Sequence, residues 1–458
     1  MIDVVQAFDR ELIDQLPGHD RADLEAKLVT ATRIFKDRGG WLKPYQRIEI
    51  LMKLADLLGR DRERFARLIA REGGKPLVDA LVEVDRAING IRSAMSCVHH
   101  MGGREVPMGL TAASTDRRAW TTAEPIGVVA AIAAFNHPLN LVVHQLAPAI
   151  AAGCPIIIKP ATATPLNCLE LFKLAHEAGM PEGWIQTFVS SSRELSEMLA
   201  TDARISFLSF IGSAKVGWYL RSKLPPGTRC ALEHGGVAPL IVDKSADLAR
   251  FVEPIVKGGY YHAGQVCVST QRIYVHEAIA NEFLELFSSR VAQLVTGDPL
   301  SPQTEVGPLI QPAEVNRVSE WIDEAVGGGA RMIGGGRLSE TTLLPVILVE
   351  PPKDSKVATL EAFGPITCLF TVRSLDEAIR YANSLPVAFQ SSIFTQDIHN
   401  ALHAAEALDA SAVMINDHTA FRTDWMPFAG RHSSGYGVGG IPYTTREMSA
   451  EKMTVFRM

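Results

Sequence analysis

Cysteine is scarce in this sequence, and the few cysteines present lack the spacing of a structural framework. The 458 residues include no C-x-x-C pair and six cysteines: Cys97, Cys154, Cys168, Cys230, Cys267 and Cys368. Disulfide-rich domains and structural zinc sites need closely grouped cysteines. The scatter therefore argues against both a disulfide framework and a metal site. It indicates a chain whose thiols stay reduced, as they do in the cytoplasm.

A strong excess of charge of either sign is also missing. Lysine and arginine together number 45, aspartate and glutamate 51, and the formal net charge is −6. Proteins that bind nucleic acid or an anionic membrane surface ordinarily carry a basic excess. We therefore expect neither as a partner. The hydrophobic fraction of 47% is typical of a globular protein with a large core, and the length suggests two or three domains.

One uncharged stretch is long enough to be mistaken for a membrane segment. Residues 126–158 contain no Lys, Arg, Asp or Glu, and about 20 apolar residues can cross a bilayer. However, the stretch contains polar residues and the prolines Pro138, Pro148 and Pro155, and it separates into the strand "IGVVAAIAAF", the helix "HPLNLVVHQLAPAIAAG" and the strand "PIIIK". These pieces predict a parallel βαβ unit that is covered on both faces, not a membrane span. The N-terminus also has no apolar run like that of a signal peptide.

The same alternation of strands and helices continues along the chain. "GWIQTFV" and "ISFLSF" are typical of strands, and "ELSEMLATD" and "IGSAKVGWYLRSKL" of helices. Strand–helix repeats between about residues 126 and 240 predict a doubly wound, Rossmann-like sheet that binds a dinucleotide. The first 100 residues or so are mainly helical in pattern, and a second α/β stretch begins near Val237. The sequence thus predicts an α/β protein with two such domains.

Several polar residues lie where the predicted sheet should bind its ligand. Asn136 and Lys159 each follow a strand, and ligands bind beyond the carboxyl ends of strands at the switch point of such sheets. Gly212 and Ser213 open a helix whose N-terminus favours a phosphate, although the turn lacks the G-x-G-x-x-G spacing. Glu233 precedes two glycines, but a single carboxylate is most often a surface charge. By itself, a cysteine such as Cys267 is more often buried and inert than reactive.

The order of the motifs is more specific than any one of them. The sequence contains, in this order, "FNHPLN", "IIIKPAT", "FIGSAKVG", "LEHGGVAP", "HAGQVC", "LEAFGP" and "MPFAGRHSSGYG". In order and spacing they resemble the aldehyde dehydrogenase superfamily. The resemblance runs from "REGGKP" near residue 75 to the end of the chain.

This resemblance implies a mechanism in which Cys267 attacks an aldehyde. The oxyanion of the thiohemiacetal would be held by the side-chain amide of Asn136 and the backbone N–H of Cys267. Hydride transfer to a nicotinamide would leave a thioester, which water activated by Glu233 would hydrolyse to a free acid. Relatives that pass the acyl group to coenzyme A generally lack this carboxylate. A coenzyme A-dependent enzyme and a non-catalytic family member remain alternatives.

The resemblance also implies NAD or NADP as cofactor. Lys159 would bind the adenosine ribose, Gly212 and Ser213 the pyrophosphate, and Glu361 the nicotinamide ribose, with Phe363 beside the ring.

Thr162, three residues after the lysine, bears on the choice between the two cofactors. NAD-preferring relatives often carry glutamate there, which repels a 2′-phosphate. Thr162 therefore favours acceptance of NADP, with Lys159 and Arg193 near the phosphate. A packing role for Thr162 is the alternative.

The sequence says less about the substrate. Some relatives that act on phosphorylated or hydroxylated aldehydes place an arginine near Arg422, shortly before Phe428. We expect a short, polar or anionic aldehyde, with Arg422, His144 and Phe428 as contacts. The alternative is a structural ion pair between Arg422 and Asp424 or another acid.

The resemblance divides the chain into three parts. Residues 1–106 and 126–235 would form the dinucleotide-binding domain, and residues 236–432 the catalytic domain. Residues 107–125 and 433–458 would form a projecting β-arm that pairs with a neighbouring subunit in a homodimer or homotetramer. The alternation in "RRAWTTAE" is typical of an exposed ribbon that needs a partner for its edge.

Overall fold

The computed structural model describes every residue from Met1 to Met458 and has a mixed α/β fold. Its strands are β1 (Ile2–Val5), β2 (Leu12–Leu16), β3 (Glu105–Val106), β4 (Arg117–Pro125), β5 (Val128–Ile132), β6 (Ile156–Lys159), β7 (Ile185–Thr187), β8 (Ile205–Ile211), β9 (Arg229–Glu233), β10 (Ala238–Val242), β11 (Thr270–His276), β12 (Arg331–Gly334), β13 (Val346–Val349), β14 (Ile366–Val372), β15 (Val387–Ala388), β16 (Gln390–Phe394), β17 (Ala412–Ile415), β18 (Arg431–His432), β19 (Gly435–Tyr436) and β20 (Ser449–Arg457).

The α-helices alternate with these strands along much of the chain, as in other layered α/β folds. They are α1 (Arg21–Lys36), α2 (Pro44–Arg60), α3 (Arg62–Gly73), α4 (Leu77–His100), α5 (Asn140–Ala152), α6 (Leu166–Glu177), α7 (Arg193–Thr201), α8 (Ala214–Ser222), α9 (Leu248–Tyr260), α10 (Ala280–Ala292), α11 (Pro312–Gly327), α12 (Lys356–Thr359), α13 (Leu375–Ala382), α14 (Ile398–Ala407) and α15 (Ile441–Glu447).

The first sheet has the strand order β19-β9-β8-β5-β6-β7. All its strands are parallel except β19, which is antiparallel to β9. The chain moves outward from β5 to β7 and then returns to β8 on the other side of β5, so the junction of β5 and β8 is the switch point. The predicted α/β class with a doubly wound, Rossmann-like sheet is confirmed.

The uncharged stretch folds as a buried βαβ unit. Every residue of α5 is buried, and the helix ends at Gly153, whose φ of 84° is the left-handed conformation that glycine tolerates best. Strands β5 and β6 on either side of it are almost wholly buried. No helix of the protein combines the length and apolar character that a membrane crossing requires.

The N-terminal segment contains one feature that the sequence pattern did not indicate. Strands β1 and β2 form a two-stranded antiparallel hairpin, in which Ile2 lies opposite Leu16. Helices α1–α4 then follow, as the helical pattern predicted. Helix α4 is important for the site because it carries Glu83 and Arg86.

The amino ends of the strands in the second sheet face the carboxyl ends of the strands in the first sheet. Its order is β12-β13-β14-β11-β10-β16-β17, and all strands but β12 are parallel. Cys267 comes just before β11, and Glu361 comes in the loop before β14. The connection from β9 to β10 passes directly from one sheet to the other, so residues from both edges can share one cleft.

The third sheet has the order β20-β4-β3, and β20 pairs with β4 along its whole length. Not all of the arm predicted at 433–458 belongs to it. Strand β19 pairs with β9 in the first sheet, and Ile441 of α15 is buried in the adjoining core. Gly435 permits this pairing, since a Cβ there would lie 2.6 Å from the carbonyl oxygen of Leu232. The division into three domains stays a prediction.

Candidate active site

A cavity of about 510 Å³ lies between the facing edges of the two large sheets. It collects residues that are far apart in sequence, from the ends of β5, β8 and β9 and from the loops before β11 and β14. The predicted site residues on its wall are Asn136, Gly212, Ser213, Glu233, Cys267, Glu361, Phe363, Arg422 and Phe428.

Three predicted residues do not line this cavity: Lys159, Thr162 and His144. Lys159 ends β6 and is buried, and desolvation alone lowers its pKa, with no carboxylate nearby to oppose the effect. The hydroxyl of Thr162 donates to the carbonyl oxygen of Ser190 at 3.4 Å. Lys159 thus belongs to the first sheet, and Thr162 follows three residues after the end of β6.

The loop that carries Cys267 has an unusual backbone. His262, Ala263 and Gly264 follow one another with φ angles of 49°, 54° and 71°. A Cβ on Gly264 would lie 2.0 Å from the carbonyl oxygen of Gly364, so only glycine fits there. Both ring nitrogens of His262 are buried without a partner, and burial lowers its pKa well below the usual value. The ring is therefore neutral, and it packs beside the rings of His137 and Tyr261.

Gln265 fixes this loop to its surroundings. Its side-chain nitrogen donates to the carbonyl oxygens of Pro308 and His262, at 3.1 and 3.3 Å, and its side-chain oxygen accepts from the backbone N–H of Ile310 at 3.0 Å. Its own carbonyl oxygen accepts from the amide nitrogen of Asn136 at 2.9 Å. The Asn136 amide and the Cys267 loop are thereby directly linked.

The loop around Asn136 is held from below by helix α4. One carboxylate oxygen of Glu83 accepts from the backbone N–H groups of Leu139 and Asn140 at 3.0 and 3.1 Å. The other oxygen pairs with the ammonium of Lys75, and both side chains are completely buried. A carboxylate at a helix N-terminus binds free N–H groups and interacts favourably with the helix dipole. Glu83 therefore fixes the point at which α5 begins.

The surroundings of Cys267 disfavour its thiolate form. Burial raises the pKa of the Cys267 thiol to about 12. The guanidinium of Arg422 opposes this increase, while Glu361 and Glu233 add to it. Burial also raises the pKa of Glu233, and Arg422 again opposes the shift. A partly desolvated carboxylate beside a thiol is suited to accept a proton.

Glu361 and Ser213 have the features expected of groups that hold a cofactor. One carboxylate oxygen of Glu361 is buried without a hydrogen-bond partner, and burial raises its pKa to about 8. A Cβ on Gly235 would lie 1.8 Å from that carboxylate, so the glycine makes room for it. Ser213 is the N-cap residue of α8, and its side chain makes no capping hydrogen bond to the helix. The free acceptor and the open helix N-terminus fit a ribose hydroxyl and a pyrophosphate.

Arg422 lines the cavity without forming an ion pair, although the charges of Glu233 and Asp424 act on its guanidinium. Its guanidinium carbon lies 3.4 Å from the centre of the Phe428 ring, and its Nη2 contacts Nδ1 of His144 at 3.3 Å. The expected alternative, an ion pair with Asp424, is not formed. Asp424 instead accepts from Arg86 at 2.8 Å and from Asn140 at 2.9 Å.

His144 is not a direct lining residue, which corrects the expectation that it contacts the substrate. It is 3% exposed, and its Nε2 lies 2.8 Å from an oxygen of Asp424. With Arg422 on its other nitrogen, the ring stands behind the cavity wall. Arg86 was missed by sequence reasoning altogether. No local pattern marks it, because its partner Asp424 is more than 300 residues away in the chain.

Comparisons with known proteins agree with this geometry. A sequence model described as "Aldehyde dehydrogenase family" matches residues 1–454. The chain belongs to this family. It is therefore an enzyme, an NAD(P)-dependent aldehyde dehydrogenase that oxidises an aldehyde to a carboxylic acid. The predicted resemblance, fold, reaction class and cofactor type are confirmed.

Named relatives of this aldehyde dehydrogenase match it along nearly its whole length. The 3-sulfolactaldehyde dehydrogenase of Priestia aryabhattai is 36% identical over 458 residues, covering 100% of this chain and 95% of the relative. The lactaldehyde dehydrogenase of Methanocaldococcus jannaschii is 35% identical, covering 99% of this chain and 97% of the relative. The crystal structure of glyceraldehyde-3-phosphate dehydrogenase GapN from the same archaeon, complexed with NADP, has a TM-score of 0.95 and 34% identity, covering 100% of this chain and 99% of that one.

Proposed function

We propose that this aldehyde dehydrogenase acts on a short aldehyde that carries an anionic group, and that it releases the free acid. The observation that carries the proposal is Arg422, a guanidinium on the cavity wall without a carboxylate partner. The charged or ionisable groups that act on the pKa of Arg422 are Glu233, Arg86, Asp424 and Cys267. Arg86 and Asp424 are already paired with each other, and Glu233 and Cys267 are the proposed catalytic groups. A buried cation without a counter-ion is costly, and an anionic substrate supplies that counter-ion.

The names of the relatives support this substrate class. A sulfonate distinguishes the substrate named for the Priestia enzyme, and a phosphate the substrate named for GapN. The lactaldehyde dehydrogenase is named for an uncharged aldehyde of the same length. Sulfolactaldehyde and lactaldehyde differ only by the sulfonate, so together they form a matched pair of substrates for a test of charge.

Cys267 is the proposed nucleophile. It loses its proton to Glu233 or to water, and its sulfur forms a bond to the aldehyde carbon. The amide of Asn136 and the backbone N–H of Cys267 then donate to the carbonyl oxygen as it becomes negative. Loss of one such donor ordinarily lowers the rate about 100- to 1,000-fold. Glu361 and the N-terminus of α8 at Ser213 would hold NAD(P), which when bound would supply the acceptor for the hydride. Cys267 would then carry the acyl group as a thioester.

Glu233 is the proposed base for release of the acid. It takes a proton from water, the water oxygen bonds to the acyl carbon, and the carbon–sulfur bond breaks. A raised pKa in the cavity supports this role, because it makes the carboxylate a stronger base. If coenzyme A were the acceptor instead, turnover would depend on added coenzyme A and Glu233→Gln would be nearly silent.

The cofactor residues are proposed on the same basis. Glu361 would hold the nicotinamide ribose, the N-terminus of α8 at Ser213 the pyrophosphate, and Lys159 the adenosine ribose. Phe363, packed edge-on against Phe135 with ring centres 5.7 Å apart, would border the nicotinamide. We expect NADP to be accepted, because Thr162 stands where NAD-preferring relatives often carry glutamate. No carboxylate acts on the pKa of Lys159.

We also propose that the protein assembles as a homodimer or homotetramer through the third sheet. Strand β20 is the outer strand of that sheet, and its free edge offers backbone groups to a second copy.

The deciding experiment compares wild type with Arg422→Gln on sulfolactaldehyde and on lactaldehyde, each with NAD and with NADP. We expect kcat/KM for sulfolactaldehyde to fall about 10- to 100-fold more than that for lactaldehyde, which is the effect of one charge-assisted contact. Any loss of thiol reactivity is common to both aldehydes and cancels in this ratio. Arg431→Gln, which changes an exposed arginine paired with Asp409, is the matched control. Equal losses on both aldehydes would contradict an anionic substrate.

A further inference from the structure

A short chain of hydrogen bonds runs through the protein behind Arg422. Oδ1 of Asp424 lies 2.8 Å from Nε2 of His144, and Nδ1 of His144 lies 3.3 Å from Nη2 of Arg422. Asp424 and His144 are buried, with exposed fractions of 1% and 3%. His144 projects from α5, the helix whose start is fixed by Glu83. The chain thus connects Arg422 to one of the most buried elements of the fold.

The protonation states of Asp424 and His144 decide which atom donates in each of these hydrogen bonds. The pKa of Asp424 is held far below its usual range, first by the hydrogen bond from His144 and by Arg86, so the carboxylate only accepts. Nε2 of His144 must then carry the hydrogen. Burial and the charge of Arg422 lower the pKa of His144 to about 4, so the ring is neutral at pH 7 and its Nδ1 is bare. That bare nitrogen accepts from Arg422.

In this network Asp424 has an ion-pair partner, whereas Arg422 has none. Asp424 accepts from both Nε and Nη2 of Arg86, at 3.3 and 2.8 Å, and from Asn140. Its negative charge is therefore matched by Arg86. Arg422 is held by an uncharged ring nitrogen at one end and by the face of Phe428 beneath it. A direct carboxylate contact would have fixed Arg422 equally well but would have cancelled its charge.

We propose that His144 is a positioning residue for Arg422, a neutral acceptor that fixes the guanidinium while leaving its charge free for the anionic group of the substrate. This inference rests on the proposed function, in which Arg422 binds that group. It assigns His144 to substrate selectivity without a contact to the substrate. Asp424 takes part by fixing which nitrogen of His144 carries the hydrogen.

The test is a pair of variants at one position. His144→Phe keeps a ring and removes both nitrogens, whereas His144→Gln keeps one donor and one acceptor. For His144→Phe we expect KM for sulfolactaldehyde to rise about tenfold, as for one lost contact to a charged group, with kcat nearly unchanged. KM for lactaldehyde should stay within about twofold of wild type, because lactaldehyde has no anionic group for Arg422 to contact. His144→Gln should restore most of the affinity for sulfolactaldehyde.

The outcomes separate this inference from the proposed function. If Arg422→Gln selectively loses sulfolactaldehyde but His144→Phe does not, the role of His144 is wrong and the anionic substrate stands. If Arg422→Gln affects both aldehydes equally, the proposed substrate class fails first. Equal KM increases of His144→Phe for both aldehydes, or no rescue by glutamine, would show a merely structural histidine.

A second measurement observes the His144 ring in the wild-type protein directly. In ¹⁵N spectra of histidine-labelled wild-type protein, the His144 ring should be neutral with its hydrogen on Nε2 at pH 7. Its signals can be assigned by their loss in His144→Gln. A hydrogen on Nδ1, or a charged ring, would overturn the proposal.

Discussion

At the scale of single residues, Cys267 and Arg422 are linked through charge. Arg422 is the cation that lowers the pKa of both Cys267 and Glu233 against the effect of burial. The same guanidinium is proposed to bind the substrate anion. Binding of that anion would weaken the effect of Arg422 on the thiol, so the help that Arg422 gives to ionisation of Cys267 is greatest before the substrate binds.

This link predicts a change in the reactivity of the thiol. In Arg422→Gln the pKa of Cys267 should rise, because the opposing cation is gone, so less thiolate exists at any pH below that pKa. Alkylation by iodoacetamide should be about tenfold slower between pH 7 and 9, and its pH profile should move to higher pH. Arg431→Gln should behave as wild type. An unchanged profile for Arg422→Gln would show that its charge does not reach the thiol.

Sequence motifs pointed to the proposed reacting groups but not to the residues that hold them in place. Cys267, Glu233 and Asn136 stand within motifs that are short and local, and the structure brings them to one cavity. The contacts of Asp424 with Arg86 and His144 join segments that are distant in the chain. Such pairs depend on how α4, α5 and the loop after β17 pack together, and no local pattern specifies that packing.

At the scale of elements, the apolar runs predicted most of the strands and helices of the first sheet, but not α6 or β9. Strands β5 and β6 lie within the stretches that predicted them, and β8 extends one residue beyond its stretch. The hairpin of β1 and β2 escaped because its strands are short and half exposed, so the apolar pattern is weak. Strand β19 has two residues, and its place beside β9 is fixed by pairing across the chain.

The start of α5 depends on the buried pair of Lys75 and Glu83. In Lys75→Met the Glu83 carboxylate remains buried without its cation, and such losses cost about 3–5 kcal/mol. We expect a lower free energy of unfolding in urea. The double variant Lys75→Met/Glu83→Gln removes both charges and keeps an acceptor for the N–H groups of Leu139 and Asn140, so it should recover most of the loss.

Two results would contradict this account of α5. One is a Lys75→Met protein as stable as wild type. The other is a double variant no more stable than the single one, since that would show that packing of the lysine side chain, and not its charge, supports the helix.

At the scale of the whole molecule, the third sheet leaves apolar side chains in solvent. Trp120 on β4 and Met453, Val455 and Phe456 on β20 are 43%, 54%, 47% and 58% exposed. The register of β20 and β4 places Trp120 and Phe456 on one face of the sheet and Met453 and Val455 on the other. Exposed apolar side chains on both sides of a free strand edge form a surface that is typical of an interface. This surface is the basis for the proposed assembly.

The assembly can be tested by placing charge on that surface. The double variant Val455→Asp/Phe456→Asp should lower the mass measured by sedimentation equilibrium to that of a smaller species, because two carboxylates cannot be buried between subunits without partners. Lys452→Ser, a change on the same strand without loss of apolar surface, should keep the wild-type mass. A monomeric wild-type protein, or a charged variant of unchanged mass, would contradict the proposal.

The most direct test of the whole account is to trap the acyl group. Glu233→Gln, mixed with sulfolactaldehyde and NADP, should give a burst of reduced cofactor of about one equivalent per chain and then stop. Mass spectrometry of the digested protein should find the acyl group on Cys267, and Cys267→Ser/Glu233→Gln should give neither burst nor adduct. Steady turnover by Glu233→Gln, or an acyl group on any residue other than Cys267, would contradict the account.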